Sequence, residues 1–164
     1  MFLYTFTFWA FYAILLVLAL YLCWKISVAD MRRRIIPDAY LFPLMITGAI
    51  LTTFFPWPVD ISTAVIGMAF GYILAATVGV IFDRILQRKN PKSESPIGMG
   101  DIKLIAVGGL LLGPTGLAIA LGAACVFGAS WAYRKKQKFI PFAPFFIAGA
   151  FFAWLAIYIF DIMQ

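Results

Sequence analysis

Apolar residues run along the chain in long uninterrupted blocks, and the charges are gathered in the short polar segments between them. The first block, Phe2 to Trp24, carries no charge. It is long enough to cross a bilayer, whose hydrocarbon core of about 30 Å takes roughly 20 helical residues. A basic segment over 25–38 follows, with Asp30 and the run Arg32, Arg33, Arg34. Pro37 then suits the first turn of a helix, where a missing N–H loses no partner. That helix is predicted over 39–55 with a kink at Pro43, and the turn from Pro56 to Asp60 separates it from a third span over 61–82. Gly67, Gly71 and Gly79 mark the third span as one that packs closely in lipid. A charged loop over 83–101, with Asp83, Arg84, Arg88, Lys89, Lys92 and Glu94, leads to the next block. Leu104 to Tyr133 is uncharged and too long for one comfortable span, and Gly113, Pro114, Thr115 and Gly116 divide it into spans over 102–112 and 116–133. The segment 134–139, holding Arg134, Lys135, Lys136 and Lys138, precedes a last span over 140–160, opened by Pro141 and Pro144.

Composition agrees with that pattern. Of 164 residues, 64% are hydrophobic and 12% charged, and the mean hydropathy is +0.98, far more apolar than a soluble domain of this length. The expectation is an all-α, polytopic membrane protein of six transmembrane helices, a single integral-membrane domain over 1–164. Met1 is not followed by basic residues, so the first block reads as a retained span rather than a cleaved leader. Placing all 13 Lys and Arg residues on the cytoplasmic side or at its helix ends requires an even number of crossings, which puts both termini outside the cytoplasm. Asp60 and Asp161 are then the acids on the far side. The net charge of +6 is accounted for by orientation and by anionic lipid headgroups, with no nucleic-acid partner needed.

The chain contains no histidine, which removes Ser/His/Asp and Cys/His catalysis and the HExxH metalloprotease together. Cys23 and Cys125 lie in apolar runs without CxxC spacing, so they read as buried packing residues rather than a disulfide or metal site. No metal and no organic cofactor is implied. Carboxylates, lysines and hydroxyls remain. Asp101, in the stretch GMGDIKL from Gly98 to Leu104, sits where a charged loop meets a long apolar run, a costly place for a carboxylate. Gly98 and Gly100 are expected to let the backbone adopt conformations closed to other residues and to bring the carboxylate, or a bound peptide, near the main chain. An alternative is that Asp101 only caps its helix. Asp30 follows the first span by one or two turns, so helices one and four are expected to meet at the inner surface with these two acids facing each other. Two carboxylates sharing one proton can hydrolyse an amide without a covalent intermediate. The alternative for Asp30 is a solvated partner of the neighbouring arginines.

Three segments in order, DMRRRIIPD from Asp30 to Asp38, GMGDIKL from Gly98 to Leu104 and IPFAPF from Ile140 to Phe145, resemble the signatures of the type IV prepilin leader peptidases, GxGD-type aspartic endopeptidases of the bacterial inner membrane. Ala143 stands where that family usually has glycine. The resemblance implies that Asp30 and Asp101 are the catalytic pair. Asp38, Pro37, Gly98, Gly100 and Lys103 take supporting or substrate-binding roles, although Lys103 also reads as an interfacial lysine reaching for the headgroups. Arg32, Arg33 and Arg34 are read as topology determinants. The implied substrates are prepilin or pseudopilin precursors, with a basic leader cut at the cytoplasmic face after a small residue, by resemblance a glycine. The cysteine-rich region that longer members carry is not seen, so methyltransferase activity is not expected; the length is similar to that of peptidases of tight-adherence pilus systems. The competing readings are a small ion- or proton-conducting membrane subunit and a non-catalytic assembly factor of a pilus or secretion system.

Overall fold

The computed structural model describes residues 2–89, 97–135 and 140–162. These form five helices, α1 (Phe2–Arg33), α2 (Asp38–Phe54), α3 (Ile61–Lys89), α4 (Met99–Lys135) and α5 (Phe142–Ile162). All but α2 are long and apolar enough to cross a membrane. The helices outrun the apolar blocks. Residues 25–33 continue α1 instead of forming a loop, so Asp30 is helical, and 83–89 continue α3. Lys and Arg are good helix formers, so the backbone stays helical after the apolar run has ended. The loop residues Lys92 and Glu94, and Lys136 and Lys138 of the last basic segment, lie outside the described residues.

At 37 residues, α4 would be about 55 Å long if straight, nearly twice the thickness of the hydrocarbon core. It is not straight. Gly113 adopts φ 66°, ψ 179°, a left-handed geometry that glycine alone takes up without a Cβ clash. The contacts on either side show that the chain doubles back there. Before the break α4 runs alongside α5, with Gly108 against Phe146; after it the order is reversed, Gly116 against Ile157, Ala120 and Ala124 against Gly149, and Gly128 against Phe145. The expected division at Gly113 to Gly116 therefore corresponds to a real hairpin, with Pro114 opening its second arm. The indole of Trp57, in the loop after α2, donates to the carbonyl of Leu111 at 2.7 Å, two residues before the break, and ties this loop to it. In that same loop Asp60 accepts from the amides of Ser62 and Thr63 at 3.1 and 3.2 Å and caps α3. The Ser62 hydroxyl first, and Thr63 after it, hold this carboxyl well below the usual carboxylate range.

The core is a seam of Ile26, Leu41, Leu44, Leu104, Val107 and Phe146. Thr47 and Thr52 are buried in it and return their hydroxyls to the carbonyls of Pro43 and Gly48 in their own helix, which avoids an unpaired polar group in an apolar interior. The backbones of α1 and α4 do not approach each other closely among the described residues, where α1 lies against α2 and α5 and α4 against α3, α5 and α2; side chains of both still share the seam, Ile26 from α1 with Leu104 and Val107 from α4. One expectation is corrected. Cys23 is only partly buried and Cys125 is exposed, because Cys125 lies on the outer face of the second arm of α4, turned away from the seam.

Candidate active site

One end of the bundle collects the termini that matter. The last turn of α1, the first turns of α2, α4 and α5, and the basic residues Lys25, Arg32 to Arg34, Arg84, Arg88, Lys103, Arg134 and Lys135 all lie there, while Asp60 and Gly113 mark the opposite end. Arg34 has φ 54° and its amide donates to the carbonyl of Asp30 at 2.9 Å. This left-handed residue closes α1 and turns the chain towards Pro37. Pro37, with φ −72° and ψ 129°, is the N-cap of α2 rather than a residue of its first turn.

Asp30 and Asp101 line one cleft of about 330 Å³, together with Arg34, Ile36, Gly98, Met99, Gly100, Ile140, Pro141 and Phe142. They reach it on separate helices, across the gap that α1 and α4 leave open. Asp30 is 5% exposed, and its Oδ2 accepts the Ala143 amide N–H at 2.8 Å across 113 positions of sequence. A carboxylate at the N-terminus of α5 meets free N–H groups and the positive end of the helix dipole, and this is how a charged group is kept in a buried position. Asp101 is half-buried at the third position of α4. Its Oδ2 accepts the Gly98 N–H at 3.2 Å, one half of a capping box, since Gly98 has no side chain to return the bond; the Asp101 N–H donates instead to the Gly98 carbonyl at 3.0 Å, a main-chain turn. The capping alternative is therefore part of the geometry, and it leaves the other carboxylate oxygen free of that bond. Asp30 and Asp101 are close enough for their charges to act on each other, and the Arg34 guanidinium acts on Asp30.

The two acidic segments interlock around this cleft. A methyl group on Gly100 would lie 2.8 Å from Cβ of Ile36, so the glycine is there for close packing. Neither Gly98 nor Gly100 takes a positive φ; among the described glycines only Gly113 does, which corrects the expectation of unusual backbone at this pair. Lys103 grips both oxygens of Asp38 at 2.8 and 2.7 Å and lies 5.7 Å from the centre of the Phe42 ring. Asp38 and Lys103 thus stand beside the cleft, paired with each other, and Pro37 lies just behind Ile36.

Two contributors were not identified from sequence. Its place in a run of three arginines makes Arg34 look like a topology residue, yet it lines the cleft. The donor to Asp30 is a backbone amide, and only the segment IPFAPF hints at it. Because the group used is the amide of Ala143, whose side chain is wholly buried, alanine serves where glycine would, and proline would not.

A model of the Type IV leader peptidase family matches residues 14–133. The chain is 29% identical over 130 residues to a prepilin leader peptidase/N-methyltransferase of Burkholderia pseudomallei, covering 75% of this chain and 40% of that one. It is 29% identical over 140 residues to the protein so named in Xanthomonas campestris, covering 77% and 45%, and 26% identical over 140 residues to that of Bacillus subtilis, covering 79% and 50%. The chain thus spans half or less of the length of these relatives. No solved structure matches it. The family match takes in DMRRRIIPD and GMGDIKL and ends before IPFAPF, so two of the three segments that build the cleft fall within it. With its long apolar helices the chain is a multi-pass membrane protein, and it belongs to the type IV leader peptidase family.

Proposed function

We propose that this protein is a membrane-embedded aspartic endopeptidase that removes the leader from type IV prepilin-like or pseudopilin precursors, with Asp30 and Asp101 as its catalytic pair. The observation that carries this reading is that two carboxylates from distant segments line one cleft, each anchored through an oxygen to a backbone amide at a helix N-terminus. Like charges this close favour a state in which the pair holds one proton. One carboxylate takes a proton from the attacking water, and the other, protonated, polarises the scissile carbonyl. As the C–N bond breaks, a proton passes to the leaving amine, and the pair returns to its starting charge. Gly98, Gly100, Pro37, Asp38 and Lys103 hold the two acidic segments in register.

The orientation follows from charge. Basic residues gather at the end that bears the cleft, so that end faces the cytoplasm of a bacterial inner membrane. With α4 doubled back at Gly113, the chain crosses six times and both termini lie outside. Anionic lipid headgroups surround the basic end. A precursor with a basic leader ahead of an apolar helix presents its scissile bond at this depth, and cleavage next to a small residue releases the leader to the cytoplasm.

The test is co-expression with a candidate precursor and mass measurement of its new N-terminus. Asp30→Asn and Asp101→Asn are each expected to reduce processing by at least 10²- to 10⁴-fold, with the protein still inserted. Full processing by either variant refutes the assignment of that residue, and it is also the outcome expected of an assembly factor.

A further inference from the structure

Each aspartate sits at the inner end of an apolar stripe. On α1, Asp30 shares a helical face with Cys23, Ala19, Leu16 and Tyr12; on α4, Asp101 shares one with Leu104, Gly108 and Leu111. Both stripes line a single apolar cavity of about 300 Å³, walled also by α2 and α5. It occupies space between the backbones of α1 and α4, which do not approach each other closely. Ile26, Leu104 and Phe146, each at most 2% exposed, fall between this cavity and the acidic cleft. The wall formed by α1 is lightly held: 11% of its most apolar window is buried, against 67% for α4.

We infer that this slot seats the apolar helix of the precursor, side chains from one face of that helix entering between α1 and α4 while the scissile bond reaches Asp30 and Asp101. The inference rests on the peptidase reading. Continuity decides the occupant: the same two helix faces are acidic at the mouth and apolar below it, matching a chain that is cut at the surface and continues as an apolar helix. The volume has room for side chains rather than for a helix about 10 Å across, so α1 is the wall against which the precursor lies. The placement sets a register. Cys23 precedes Asp30 by seven residues, about 10 Å along the helix, so the precursor residue about seven positions after the scissile bond lies beside Cys23.

Cys23 provides the test without altering the slot. In the Cys125→Ala protein, oxidative cross-linking in membranes to precursors carrying single cysteines after the scissile bond is expected to peak near the seventh position and fall off on either side. The Cys23→Ala protein, which keeps the exposed Cys125, is expected to give no such peak. Separately, filling the slot with Ala19→Trp is expected to slow cleavage of the full precursor at least tenfold more than cleavage of a short peptide that spans the scissile bond and lacks the apolar helix. Cross-linking spread evenly over all positions, or equal slowing of the two substrates, overturns the inference; lipid acyl chains filling the slot would give the even pattern. If the unaltered protein cuts neither substrate, the peptidase reading itself fails, which separates the two.

Discussion

Asp38 and Lys103 are 65 positions apart and meet with both carboxylate oxygens on one ammonium. The side chains are 49% and 36% exposed, so solvent screens the attraction and the pair stabilises the fold by about 1 kcal/mol or less. Its effect is on position, since it ties the first turn of α2 to the start of the second turn of α4, two residues beyond Asp101. Asp38→Ala is therefore expected to lower the melting temperature in detergent by no more than about 4 °C and to slow precursor processing several-fold. Asp38→Asn, which keeps an oxygen for Lys103, is expected to retain most of the rate. Initial rates and a thermal scan of both variants check this. Arg34 and Ala143 act at the same scale on Asp30, one by charge and one by its amide; Arg34 is a local neighbour four residues on, whereas nothing local in the sequence links Ala143 to Asp30.

Among the helices, the tightest contact is between α3 and the first arm of α4. A methyl group on Gly109 would collide with the Gly67 carbonyl, and one on Gly67 would meet the backbone of Gly109 and of Gly113, the last at 2.8 Å. Gly67 and Gly71 are one helical turn apart, and both press against this arm or its continuation, as small residues do where helices in lipid approach backbone to backbone. Gly109→Val is expected to separate the helices and cost about 1–3 kcal/mol or more. Gly122, on the second arm, has nothing within 4 Å of where a methyl group would sit. Gly122→Ala should therefore be neutral or gain up to about 1 kcal/mol from helix propensity. Thermal unfolding of the two variants in the same detergent checks the contrast, and equal losses would mean that α3 does not rely on close approach at Gly67.

For the molecule as a whole, the hairpin at Gly113 returns Arg134 and Lys135 to the end that carries Asp30 and Asp101, and the proposal of six crossings rests on it. In a protein with Cys23→Ala and Cys125→Ala, Thr115→Cys is expected to react with a membrane-impermeant thiol reagent applied to intact cells. Lys135→Cys is expected to react only after permeabilisation. Labelling of both from the same side would overturn the six-crossing arrangement.

The sequence alone determined the apolar runs, the basic end, the interruption at Gly113 and the three segments that meet at the cleft, because hydropathy, charge and turn chemistry are local properties of the chain. It placed the helix ends poorly, since hydropathy records where lipid gives way to water and not where the backbone stops being helical: α1 reaches Arg33 and α3 reaches Lys89. Only the tertiary structure decided that α1 and α4 meet through side chains without close backbone approach, that Arg34 turns into the cleft, that the Ala143 amide holds Asp30 and that Asp38 is spoken for by Lys103. Those are contacts between groups tens of residues apart, several through main-chain atoms common to all residues, and they exist only once the helices have packed.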